Sequence, residues 1–234
     1  MRRVRINFGA AVAALLASAC SPNSSTSRAG DGAAAAASTP SAAAAAPDPL
    51  VTAADRGRIA GDSSAKTWFI IASDFQCTYC RQWHEETYKP FIDEYVRSGK
   101  VRAAFINFPL AQHRNAVHTA EAAMCASAQG KFWDYHDALF VSQQQWSDLP
   151  EPRSHLDLLA RTVGVDFGEW SKCVDSDRML PLIMADRDRA SAGGVRSTPT
   201  FLVNGQAIPG AQRLDVLRPV IEAAIAKSGE TKSR

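Results

Sequence analysis

The stretch DFQCTYCRQW, residues 74–83, sets Cys77 and Cys80 two residues apart in a chain of 234 residues that holds five cysteines. Before it lies an apolar run, KTWFIIA (66–72), which reads as a buried strand. After it, Cys80, Trp83/His84, Thr87/Tyr88, Phe91 and Tyr95 fall on one stripe of helical period, with Pro90 expected to kink the helix. A second apolar run, KVRAAFINF (100–108), follows, so the local reading is strand, helix, strand, the crossover unit of a parallel sheet. A pair of thiols at the start of a helix that leaves a buried strand can be a metal ligand pair, a structural clip or a redox centre.

The remainder of the chain sets the fold class. RNAVHTAEAAMCASA, KFWDYHDALFVSQQ, SHLDLLARTVG, DFGEWSKCVDS and RMLPLIMADRDRASAGG each carry apolar residues at helical spacing and end on polar, glycine or proline boundaries. TPTFLVNG (198–205) then predicts a strand and turn, QAIPG (206–210) a short strand, and RLDVLRPVIEAAIAK (213–227) a closing helix. The expectation is an α/β domain over residues 50–230 with a helical subdomain inserted at about 111–194. With 46% hydrophobic residues the chain can bury a sizeable core.

The N-terminus points to export. Arg2, Arg3 and Arg5 precede an apolar run to Ala17 and small residues before Cys20, which predicts a signal peptide over residues 1–19. A membrane anchor is the alternative, and the run falls short of the roughly 20 residues that cross a bilayer. LASAC resembles a bacterial lipobox, so Cys20 is expected to carry lipid; an ordinary secreted protein beginning with cysteine is the other reading. Residues 20–49, almost wholly Ser, Ala, Thr, Gly and Pro, predict a disordered tether spanning about 30 Å. Removing the signal leaves 23 Lys and Arg against 24 Asp and Glu, a net charge of −1 with no basic run, which gives no reason to expect nucleic acid.

An oxidising compartment changes how the thiols read. Zinc needs two further ligands, and Cys125 and Cys173 are 48 residues apart; His84 is the one nearby candidate for a third. Haem attachment requires His where Arg81 stands. A two-residue disulfide loop stabilises little and gives an exposed, easily reduced bond, which suits catalysis. At the helix start Cys77 faces unpaired amides and the positive end of the dipole, so it is expected to be the nucleophile, and Cys80 the resolving thiol. Cys125 and Cys173, the remaining even pair, are expected to form a structural disulfide, with two buried free thiols as the alternative. His113, His118, His136 and His155 read as ordinary core or surface residues, and Phe132, Trp133, Tyr135 and Phe140 as core of the helical part.

SDFQCTYC, FINFPL, AAMCASAQGKFWDYHDALF, WSKCVDS and STPTFLVNG, in that order, resemble the DsbA-like thiol:disulfide oxidoreductases of the thioredoxin superfamily over about residues 55–227. The resemblance implies a thioredoxin fold with an inserted helical subdomain, no cofactor, and a cis Pro199 that, with Thr198, presents backbone to substrate beside the cysteines. It also implies oxidation of newly exported cysteine-containing proteins, in the periplasm or cell envelope, with reoxidation by a membrane redox partner. An isomerase or reductase is the near rival. The tether offers nothing that would assemble subunits, which favours a monomer. A copper- or zinc-handling protein using Cys77, Cys80 and His84 is the rival of another class. The chain departs from the family pattern at Thr78, where proline is usual, at Tyr79, where strong oxidants carry histidine, and at Ile71, where a buried acid is common. With Asp74 adding a nearby negative charge, Cys77 is expected to be more acidic than a free thiol but short of the family's extreme.

Overall fold

The computed structural model describes residues 48–230. The signal peptide, Cys20 and all but the last residues of the tether lie outside the described residues. Asp48 and Pro49, assigned to the tether from composition, belong instead to a helix, α1 (Pro49–Gly57). Asp48 caps it by accepting from the Leu50 amide, and proline fits the first turn because its missing N–H would have had no partner.

Five strands form one mixed sheet: β1 (Ile59–Ala60), β2 (Thr67–Ser73), β3 (Val101–Asn107), β4 (Thr200–Val203) and β5 (Gln206–Pro209), in the order β1-β3-β2-β4-β5. β2 and β3 run parallel, and the other neighbours are antiparallel. The register sets Ile71 opposite both Phe105 and Phe201, so three apolar side chains meet in a row on one face of the sheet. β1 and α1 are elements that periodicity did not reveal; two residues carry no measurable alternation.

The helix after the cysteines starts as α2 (Thr78–Trp83), widens to π geometry over His84–Tyr88, returns to α as α3 (Lys89–Phe91) and widens again over Ile92–Val96. Pro90 lies between the two π segments, the kind of local adjustment by which a helix absorbs a missing donor and a ring. The expected stripe of Cys80, Trp83, Thr87, Tyr88, Phe91 and Tyr95 is buried. Phe69, Phe91, Trp83 and Phe201 pack ring against ring between this helix and the sheet, with centroids 4.3 Å apart for Phe69 and Phe91.

The inserted part is α4 (Ala116–Ser127), α5 (Phe132–Val141), α6 (Gln143–Trp146), α7 (Arg153–Val163), α8 (Phe167–Asp175) and α9 (Leu180–Ala192). Alanines let α4 run through its centre almost wholly buried. Large rings close around it with their polar edges satisfied: Trp170 Nε1 donates to Ala122 O, Tyr135 OH to Leu156 O and Trp146 Nε1 to Leu139 O. A buried ionic knot joins this part to the sheet, where Asp186 of α9 accepts from Arg58, Arg189 and both nitrogens of Asn107. α10 (Leu214–Glu230) closes the chain against β2 and β4.

Candidate active site

β2 delivers the chain to a tight turn. Asp74 Oδ1 accepts from the Gln76 amide at 2.8 Å and the Asp74 carbonyl accepts from the Cys77 amide at 3.1 Å. The turn leaves Cys77 extended (φ −71°, ψ 124°) as the N-cap of α2, with Cys80 one turn inside. Both are free thiols. The sequence suggested exposure, but Cys77 is 4% and Cys80 2% exposed. The cover over Cys77 comes from the loop before β4, whose Thr198–Pro199 bond is cis. It places the Thr198 carbonyl 3.5 Å from Cys77 Sγ, which donates to it as a thiol.

The two sulfurs are electrostatically unequal. The Cys80 thiol donates to Cys77 and, with the Thr198 hydroxyl and the amides of Tyr79 and Cys80, lowers the Cys77 pKa to about 6 against the opposing effect of burial. The Thr198 hydroxyl is buried and without a partner while Cys77 is a thiol, so a thiolate supplies the acceptor it lacks. Cys80 goes the other way: burial first, then the proximity of Cys77, pushes it well above an ordinary thiol, with the Asp74 amide and the Ser73 hydroxyl only partly opposing.

The inserted helices clamp this turn. Gln143 of α6 donates to the carbonyls of Phe75 (2.6 Å) and Cys77 (3.0 Å) and is itself held by Arg81 Nε at 3.0 Å. Gln76 donates to Ser147 O and accepts from the Asn115 amide, while Asn115 Nδ2 donates to the carbonyls of Ser147 and Leu149. None of these three carried a sequence signal, because each bond joins segments tens of residues apart.

The structure brings Cys77, Cys80, Asp74, Thr198 and Pro199 together. Thr78 and Tyr79 are exposed on the outer side of the first turn, Tyr79 at 64%. Ile71 is core. Asp74 turns its carboxylate away from solvent onto the Leu110 amide (2.9 Å) and His113 Nδ1 (2.7 Å), so His113 belongs to the site rather than to the background of ordinary histidines. His84 points to Asp137 at 3.1 Å, and His136 to the same oxygen at 2.8 Å; no third ligand is thereby drawn to the Cys77–Cys80 pair among the described residues. Cys125 of α4 and Cys173 of α8 are joined in a disulfide, Cα–Cα 5.8 Å, within the inserted helices.

A helix-capping thiol facing a cis-proline loop on this sheet order defines a thioredoxin-like domain. The chain belongs to the thioredoxin family, whose model, described as Thioredoxin, matches residues 53–223. In fold it is similar to α-DsbA1 of Wolbachia pipientis, with a TM-score of 0.67 over 75% of this chain and 94% of that one at 20% identity. In sequence it is 26% identical over 148 residues to a probable disulfide bond formation protein D of Bacillus anthracis, covering 62% of this chain and 68% of that protein. It is also 30% identical over 177 residues, 74% of its own length, to the Na(+)/H(+) antiporter NhaA 3 of Salinispora tropica. The chain spans about a quarter of that antiporter's length (26%), and among the described residues no helix is long and apolar enough to cross a membrane.

Proposed function

We propose that the chain is an exported protein thiol:disulfide oxidoreductase that introduces disulfides into newly exported cysteine-containing proteins. The observation that carries the reading is the inequality of Cys77 and Cys80: one thiol made acidic at a helix start, its partner made basic by burial. A dithiol whose reduced form is stabilised as a thiolate is a good oxidant. In the forward direction a substrate thiolate attacks Cys77 Sγ of the Cys77–Cys80 disulfide; the S–S bond breaks and Cys80 leaves, taking up a proton. A second substrate thiolate then attacks the substrate sulfur of the mixed disulfide and expels Cys77 as a thiolate. The substrate dithiol is oxidised and the CxxC reduced. A membrane redox partner reoxidises it.

On this reading the backbone of Thr198 and Pro199 lines the substrate chain, Thr78, Tyr79 and Asp74 tune the centre, and the Cys125–Cys173 bond is structural. Residues 1–19 act as the export signal, Cys20 bears lipid, and the tether holds a monomeric domain at 50–230 clear of the membrane, in the periplasm or cell envelope. Equilibration with glutathione buffers tests the direction. The expected reduction potential is well above thioredoxin's value of about −270 mV, and a value at or below it makes the protein a reductase. A Cys80→Ala variant is expected to accumulate mixed disulfides with exported proteins through Cys77.

A further inference from the structure

We propose that His113, acting through Asp74, sets the ionisation of Cys77, so that the imidazolium and the thiolate form together. The inference rests on the redox reading of Cys77. The Asp74 side chain is wholly buried, yet three donors close on it: the amides of Gln76 and Leu110 and the ring of His113. The amides are fixed, and His113 is the one donor that can gain or lose charge. Asp74 is also the residue whose backbone reaches both cysteines, with its carbonyl on the Cys77 amide and its own amide beside Cys80 Sγ. A buried carboxylate at that place is a like charge that opposes a thiolate on Cys77. Protonated His113 cancels it, and neutral His113 leaves it standing.

The His113 ring is 22% exposed, enough to exchange protons with solvent while keeping its 2.7 Å contact. The groups facing it are Asp74 and Cys77 from the turn before α2; Cys80 is buried and neutral, and Arg114 and His118 on its own segment are exposed. Among the described residues no other charged side chain is bonded to Asp74 or His113. The Asp74 hydrogen bond raises the His113 pKa against burial, and the charges of Asp74 and Cys77 add to the rise. His113 is therefore a positioning residue for charge, and oxidation of the pair, which removes the thiolate, makes it release a proton more readily.

Following the His113 ring proton by NMR against pH, in protein reduced with dithiothreitol and oxidised with glutathione disulfide, tests this without any exchange assay. The His113 midpoint is expected to lie about one pH unit higher in the reduced protein. By reciprocity, His113→Gln is expected to raise the Cys77 midpoint, read by thiolate absorbance, by the same amount. Equal His113 midpoints in both redox states, or a folded His113→Gln protein with an unmoved Cys77 midpoint, overturn the proposal. If the titrations move together while Cys77 exchanges with no disulfide, the redox reading fails and the coupling stands.

Discussion

The two cysteine pairs of this chain are equally hidden and chemically opposite. Cys125 and Cys173 are 1% and 5% exposed, Cys77 and Cys80 4% and 2%, so burial does not separate them. Position on the helix does. Cys125 lies within α4 among apolar side chains, where the backbone amides already have partners in the preceding turn. Cys77 lies at the start of α2, where the amides have none, and it borrows further donors from Cys80 and Thr198. One pair is joined across 48 residues. The other is two residues apart and free. A disulfide that closes a loop of about 49 residues removes far more unfolded-chain freedom than one that closes a loop of four, so the first pair suits stability and the second suits exchange.

Substitution can pull these roles apart. Cys77→Ser is expected to abolish thiol–disulfide exchange and leave the denaturant midpoint of the reduced protein almost unchanged. The Cys125→Ala/Cys173→Ala double variant is expected to lose about 2–4 kcal/mol in urea unfolding and keep its exchange rate under native conditions. A Cys77→Ser protein that still turns over, or a double variant that keeps full stability, breaks the contrast. A smaller effect is expected at Gln143, whose amide ties both the Phe75 and Cys77 carbonyls to α6. Gln143→Ala leaves these carbonyls short of a donor, for a loss of about 1–3 kcal/mol, and loosens the turn, so the thiolate absorbance midpoint of Cys77 should rise as well. A loss of stability with an unmoved midpoint would assign Gln143 to the fold alone.

A pH-dependent effect belongs to Glu121, one turn before Cys125. Its side chain is buried with Oε1 unpartnered, and burial, then the charge of Asp177, pushes it up to about 7. A carboxyl whose folded value exceeds its unfolded one binds its proton more tightly when folded. Its stabilising effect is therefore complete below about pH 4.5 and is lost as pH rises toward 7. Glu121→Gln is expected to be more stable than the parent at pH 8 by up to about 3 kcal/mol and indistinguishable at pH 4. Equal stability of the two proteins at pH 8 would remove Glu121 from the account.

What the sequence makes legible follows from range. β2, β3, the helix with its buried stripe and the inserted helices are written in local periodicity, and the CxxC in local spacing. Thr198 and Pro199 were reachable only through the family resemblance, because nothing in STPTF alone points 121 residues back to Cys77. The Asp–Pro start of α1 was a readable capping signal, masked by the alanine-rich composition before it. His113, Gln76, Asn115 and Gln143 were invisible for a different reason: each works through hydrogen bonds to segments 31 to 71 residues away, and hydrogen-bonding residues are common on any surface. The electrostatics of the site were half legible. Tyr79 and Asp74 pointed to a moderately acidic thiol, but not to a carboxylate turned onto a histidine.

Everything proposed for this site turns on the inequality of the two sulfurs in the CxxC. Brief alkylation of the reduced protein with iodoacetamide across pH 4–10, with each modified cysteine located by mass spectrometry, reads it directly. Cys77 is expected to be modified with a midpoint of about pH 6 and Cys80 to stay unmodified throughout the neutral range. Equal labelling of both cysteines with a midpoint near the free-thiol value of about 8.5 would contradict it.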